Sequence, residues 1–167
     1  MIQKQYLDVL RQICELMEGS QFDWAITGSL GMLLQGMDLP VQDIDIQTDE
    51  DGAYEIERRL AEFVVKPVLF KGSDRIRSRL GKLAIDGIQV EVMGAIQKRL
   101  QDGSWEPPVQ VADHRRWVEI KGLKVPVLSL EYEAEAYHLM GREDRSAQIR
   151  TWLEKTHPSA AHPGDLQ

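Results

Sequence analysis

Residues 43–46 read Asp-Ile-Asp-Ile inside a longer alternating stretch, Val41 to Gln47. Side chains on a strand point to opposite faces in turn, so this order sends both isoleucines into a core and both aspartates to the other face. Two residues along a strand span about 6.6 Å. Carboxylates at that spacing repel by about 0.6 kcal/mol in water and by about 2.5 kcal/mol at an effective dielectric near 20. Taken alone, the tetrapeptide reads as the solvated face of an edge strand. In a cleft, the same pair requires a cation, and hard oxygen ligands favour magnesium or manganese over zinc.

The surrounding chain alternates between helical and strand periodicities. Ile2, Tyr6, Val9, Ile13 and Leu16 recur at helical spacing until Gly19-Ser20. Residues 22–27 predict a strand, Gly28-Ser29 a break, and 30–35 a short helix. Thr48-Asp49 caps a helix expected over 50–63, followed by a strand over 64–70. Residues 71–81 are expected as a basic connector. Asp86-Gly87 suits a two-residue hairpin between 83–85 and 88–93. A helix is expected over 94–100. A second pair of strands, 117–120 and 123–128, meets at Lys121-Gly122. Ser129 caps a helix through about Met140, and a last helix follows over 142–155. Such interleaving predicts an α/β (α+β) fold with a mixed sheet flanked by helices.

With 167 residues, the chain has the size of one domain. That domain is expected over 1–155, with a catalytic core at about 20–93, a C-terminal helical part at about 129–155 and a flexible tail over 156–167. The net charge of -7 argues against extended nucleic-acid binding. One cysteine, Cys14, excludes an internal disulfide and a cysteine metal cluster. No apolar run reaches membrane-spanning length and the first residues lack a signal-peptide layout, so no membrane partner and a cytoplasmic location are expected.

Other residues give the aspartates a context. Gly28-Ser29 lies where a strand feeds a helix, a place where backbone amides and a hydroxyl can meet an anion. Val90-Glu91-Val92 sets a third carboxylate between apolar neighbours on a strand. Between Lys71 and Lys82 five cations (Lys71, Arg75, Arg77, Arg79, Lys82) face one acid, Asp74. The segment reads either as an arm for triphosphate or an anionic acceptor, or as a solvated connector. The four histidines lack ligand spacing, and Tyr132 and Tyr137 read as core or as acceptor-pocket lining.

Gly28-Ser29, thirteen intervening residues, Asp43-Ile44-Asp45-Ile46 and then Val90-Glu91-Val92 resemble the nucleotidyltransferase superfamily that shares the DNA polymerase β palm. The similarity is clearest over residues 22–92 and looser through residue 153, where it resembles small single-domain members such as lincosamide adenylyltransferases. Glu91 stands where aspartate is commoner, and the lysine often carried by the C-terminal helix is absent.

The resemblance implies a nucleotidyltransferase fold and transfer of a nucleoside monophosphate from a nucleoside triphosphate, ATP in the first instance, to a hydroxyl acceptor (a small molecule, a protein or an RNA end). It implies Asp43, Asp45 and Glu91 as catalytic and metal-ligating residues for Mg2+ or Mn2+. It also implies phosphate contacts from Gly28 and Ser29, which Lys71, Arg75 and Arg77 would extend. The alternative is a catalytically silent nucleotide-binding or antitoxin-like module of the same fold. So short a chain must hold its acceptor with its last third or with a second subunit, as in a homodimer.

Overall fold

The computed structural model describes residues 1–157. Among these described residues, seven β-strands form one mixed sheet and six α-helices pack on its two faces. In chain order these are α1 (Lys4–Leu16), β1 (Trp24–Thr27), α2 (Gly28–Leu34), β2 (Ile44–Thr48), α3 (Glu50–Arg59), β3 (Val64–Gly72), β4 (Ile76–Ile85), β5 (Ile88–Lys98), α4 (Val111–His114), β6 (Arg115–Ile120), β7 (Leu123–Leu128), α5 (Leu130–Leu139) and α6 (Glu143–Thr156). The strand order is β3-β4-β5-β2-β1-β7-β6. Strands β2 and β5 pair in parallel, as do β1 and β7, and the remaining pairs are antiparallel.

Periodicity divides the two faces. Ile44 and Ile46 of β2 and Val90 and Val92 of β5 are buried with Leu10 and Ile13 of α1 and Ala53 and Ile56 of α3. Leu130 and Ala134 of α5 pack with Ile149 of α6 and Met32 of α2 in a separate cluster. Asp49 caps α3 by accepting from the Gly52 amide at 2.6 Å, and Ser129 caps α5 by accepting from the Tyr132 amide at 3.2 Å. Both two-residue hairpins form, with positive φ at Asp86-Gly87 and at Lys121-Gly122, as twisted antiparallel pairs require.

The helix expected over 50–63 ends at Arg59, with Ala61–Phe63 a separate 3-10 turn, and three further segments differ from their sequence expectation. Residues 71–81 are not a connector: β3 and β4 form an antiparallel pair with Lys71 opposite Ser78 and Gly72 opposite Arg77. Its alternating cations hide a strand pattern, because exposed strand positions carry charge as readily as loops do. Residues 94–100 are not a helix, since β5 runs on to Lys98. Between Arg79↔Gly94 and Arg77↔Gln97, β5 carries one residue more than β4. This bulge, with Ala95 at φ 54, bends the strand without ending it. Finally, α6 includes Thr156, which the tail was expected to contain; residues 158–167 lie outside the described residues. Among the described residues no helix is long and apolar enough to cross a membrane.

Candidate active site

Strand register assembles the site. Thr27 of β1 lies opposite Asp45 of β2, Asp45 opposite Glu91 of β5, and Glu91 opposite Lys82 of β4. The four residues therefore form a row across one face of the sheet, and Asp43, in the bend just before β2, meets Gln89 of β5 through a side-chain hydrogen bond. Gln89 Nε2 donates to Asp43 Oδ2 and to Glu91 Oε1, each at 3.3 Å, tying the two carboxylates together. Lys82 Nζ is 3.5 Å from Glu91 Oε1.

Gly28 closes this row from the β1–α2 turn. Its φ is 70, and a β-carbon there would stand 2.6 Å from Asp45 Oδ2. Glycine is thus required twice, by conformation and by the approach of the carboxylate. Ser29 follows, partly buried. Burial, then the charges of Glu91 and Asp43, push the Asp45 carboxyl up to about 7. Among the described residues no lysine or arginine forms an ion pair with Asp45, so burial and the two neighbouring acids act on it unopposed.

The second layer of the site was not anticipated from sequence. Glu133 of α5 is 4% exposed and reaches the β1–α2 turn. Its Oε1 accepts from the Thr27 hydroxyl and, at 3.2 Å, from the Gly28 amide. Burial pushes Glu133 up to about 7, with these two donors acting the other way. The Gly28 amide is therefore engaged by Glu133. Lys98, brought to the same face by the bulge, is 3% exposed; its Nζ donates to Tyr132 Oη at 3.0 Å and lies 3.4 Å from Glu106. Tyr132 in turn stacks on His114, with ring centroids 4.2 Å apart. The sequence signal for Glu133 was present: Leu130, Glu133, Ala134 and Tyr137 share one helical stripe, and an acid in a buried stripe needs a partner.

Thr27, Gly28, Asp45, Gln47, Glu91, Lys98 and Glu133 line a cleft of about 170 Å³. Lys71, Arg75 and Arg77 do not join it. Lys71 is exposed on β3. Arg75 lines a separate cleft of about 580 Å³ beside Arg99 and His138. Arg77 Nε donates to Gln97 Oε1 at 3.0 Å, and its guanidinium lies 4.3 Å from the Trp105 ring centre.

The chemistry of the donor set fits a hard divalent cation. It is all oxygen, and magnesium commonly takes one or two protein carboxylates and completes its shell with substrate oxygens and water. Among the described residues no three histidine, cysteine or acidic side chains form a preassembled metal cage. The arrangement suits a cation that arrives with its substrate.

Residues 9–151 match the family model for aminoglycoside-2″-adenylyltransferase. The chain belongs to that family. It is a nucleotidyltransferase, with the mixed sheet and flanking helices of that fold. A solved structure from Thermotoga maritima, described as a candidate nucleotidyltransferase, is 52% identical, covers 93% of this chain and 96% of its own, and superposes with a TM-score of 0.82. The lincosamide antibiotic adenylyltransferase LnuA, solved with lincomycin bound, shares the fold at 16% identity and a TM-score of 0.54, covering 89% of this chain and 98% of its own. ANT(2″)-Ia in complex with adenylyl-2″-tobramycin does so at 15% identity, with the same TM-score and coverage. Comparison with the curated proteins returns no significant match.

Proposed function

We propose that this nucleotidyltransferase moves adenylate from ATP to a hydroxyl of a small-molecule acceptor and releases pyrophosphate, with magnesium as its metal. The observation that carries this reading is the packing of Asp45 against Gly28, with Glu91 in register on the neighbouring strand. The antibiotics in the LnuA and ANT(2″)-Ia structures support a small acceptor, as do the acids of the cleft, which disfavour a polyanionic acceptor that brings no metal of its own.

Asp43 and Asp45 would hold the metal, which when bound neutralises charge on the triphosphate and its leaving group. The Ser29 hydroxyl donates to the phosphates beyond the reacting one. Gly28, without a side chain, lets the nucleotide approach Asp45. Glu91, its Oε1 held by Lys82 and Gln89, presents its other oxygen to the acceptor hydroxyl and takes its proton. The acceptor oxygen forms a bond to the α-phosphorus, the bond from that phosphorus to the bridging oxygen breaks, and pyrophosphate departs with the electron pair.

The test is incubation with α-labelled ATP, magnesium and a panel of aminoglycosides, lincosamides and simple sugars. The expected result is a labelled acceptor with matching pyrophosphate release, absent for Asp45→Asn. Metal-dependent ATP binding with no transfer to any acceptor would favour a silent binding module instead.

A further inference from the structure

The two edges of the sheet are built differently. At one end β3 is guarded: Pro67 removes a donor, the register with β4 shifts twice, and a Glu57 carboxylate oxygen takes the Val68 amide. At the other end β6 runs from Arg115 to Ile120 without proline or bulge, and among the described residues it pairs with β7 alone. Trp117 stands in the middle of that edge and is 57% exposed. An open edge of this kind is a template for another strand.

The hydrogen-bond pattern shows which residues are free to pair. Ile120 and Leu123 flank the two-residue turn, and the Ser129 amide donates to the His114 carbonyl at 2.9 Å. Bonded and non-bonded pairs alternate along an antiparallel ladder, so Arg116, Val118 and Ile120 direct their main-chain groups to β7. Arg115, Trp117 and Glu119 direct theirs outward, and their side chains share one face. It is the face of Asp45: Arg115 lies opposite Leu128, which packs with Ala25, two residues before Thr27.

A partner strand must therefore match a cation, an indole and an acid, in that order. The same strand reversed does so. With a two-fold axis at Trp117, perpendicular to the sheet, Arg115 lies opposite the partner subunit's Glu119, and Trp117 opposite the partner subunit's Trp117. Each of these pairs can exchange both main-chain hydrogen bonds. A register two residues further sets Arg115 against the partner subunit's Lys121, cation on cation, so charge selects the first. Arg115 already holds Asp23 at 3.1 Å and has donors left for a second carboxylate. Glu119 is exposed and forms no ion pair among the described residues.

We propose that a second copy of this chain completes the β6 edge, giving a two-fold dimer whose sheet runs through both copies. The axis preserves faces, so the Asp45 rows of both copies lie on one side of the joined sheet. Four strand spacings, about 19 Å, separate β2 from the partner strand, which is therefore too far away to touch Asp45. The dimer does not depend on the nucleotidyl-transfer reading.

The test is sedimentation equilibrium of the full chain between about 5 and about 300 μM. Pairing along one edge strand makes a small interface, so half-dimerisation is expected at about 10–100 μM. Glu119→Arg, which sets cations against each other, and Trp117→Lys should each weaken the dimer at least about tenfold. Cross-linking in a Cys14→Ala background reads the register. Trp117→Cys should give a disulfide-linked dimer on mild oxidation, because Cα atoms of a bonded pair stand about 5.5 Å apart. Arg116→Cys, two residues out of register with itself, should not. Wild type that stays monomeric throughout the range would overturn the proposal and leave the edge to a strand of a different protein. So would a dimer that both charge substitutions leave unchanged, or equal cross-linking of the two cysteine variants.

Discussion

A β-carbon on residue 28 would stand 2.6 Å from Asp45 Oδ2, so the absence of a side chain at Gly28 is what lets that carboxylate sit against the β1–α2 turn. Gly28→Ala must displace Asp45 or the turn, and it also places alanine at φ 70. The expected cost is about 2 kcal/mol of stability together with loss of metal-dependent nucleotide binding. Chemical denaturation and nucleotide titration of the variant check both; a variant as stable and as competent as wild type would contradict the packing argument.

Asp45 links pH to stability. Its folded carboxyl titrates near 7 against an ordinary value of 3.8. The folded state therefore binds the extra proton between those values, and the stabilisation it confers is present below about pH 4 and lost as pH rises through 7. Asp45→Asn removes this loss. In the absence of metal the variant should match wild type near pH 4.5 and exceed it by about 1–3 kcal/mol at pH 8, while transferring no adenylate. Denaturation curves of both proteins across this range are the measurement, and a constant difference would refute the linkage.

Lys98 is nearly fully buried beside Glu106 and Tyr132. Lys98→Met keeps the length of the side chain but leaves the half-buried Glu106 carboxylate, whose Oε1 is enclosed, without its cation, so it should cost about 1–2 kcal/mol. The double variant Lys98→Met, Glu106→Gln should recover a large part of that. No recovery in denaturant midpoints would mean that Glu106 is not the partner that matters.

The bulge in β5 holds Ala95 at φ 54. Ala95→Gly should leave stability unchanged or raise it by up to about 1 kcal/mol, whereas Ala95→Val should lower it by at least about 1–2 kcal/mol. A thermal melt in which valine is tolerated as well as glycine would contradict this backbone geometry.

These residues also mark what the sequence could and could not disclose. The shared face of Asp45 and Glu91 was legible because alternation fixes the face of a strand before its neighbours are known, and the register then sets the two opposite each other. The Gly28-Ser29 break was legible because glycine and serine punctuate a strand-to-helix junction. Gly94-Ala95 was misleading, since one extra residue in a strand imitates a change of period. Glu133 and Lys98 were hidden for another reason. Their roles depend on contacts across 105 and 34 residues of chain, with Gly28 and Tyr132, and local periodicity does not report which buried charge finds which partner.

The pair Asp43 and Asp45 carries the central claim, that this face of the sheet receives a divalent cation together with a nucleotide. Its most direct test is a manganese titration followed by electron paramagnetic resonance, with a non-hydrolysable ATP analogue present, on wild type, Asp43→Asn and Asp45→Asn. Wild type should bind manganese in a nucleotide-dependent manner, and each variant should bind it at least about a hundredfold more weakly, the loss of a carboxylate ligand from an oxygen-only site. Manganese binding that is independent of nucleotide, or that survives both substitutions unchanged, would contradict the account.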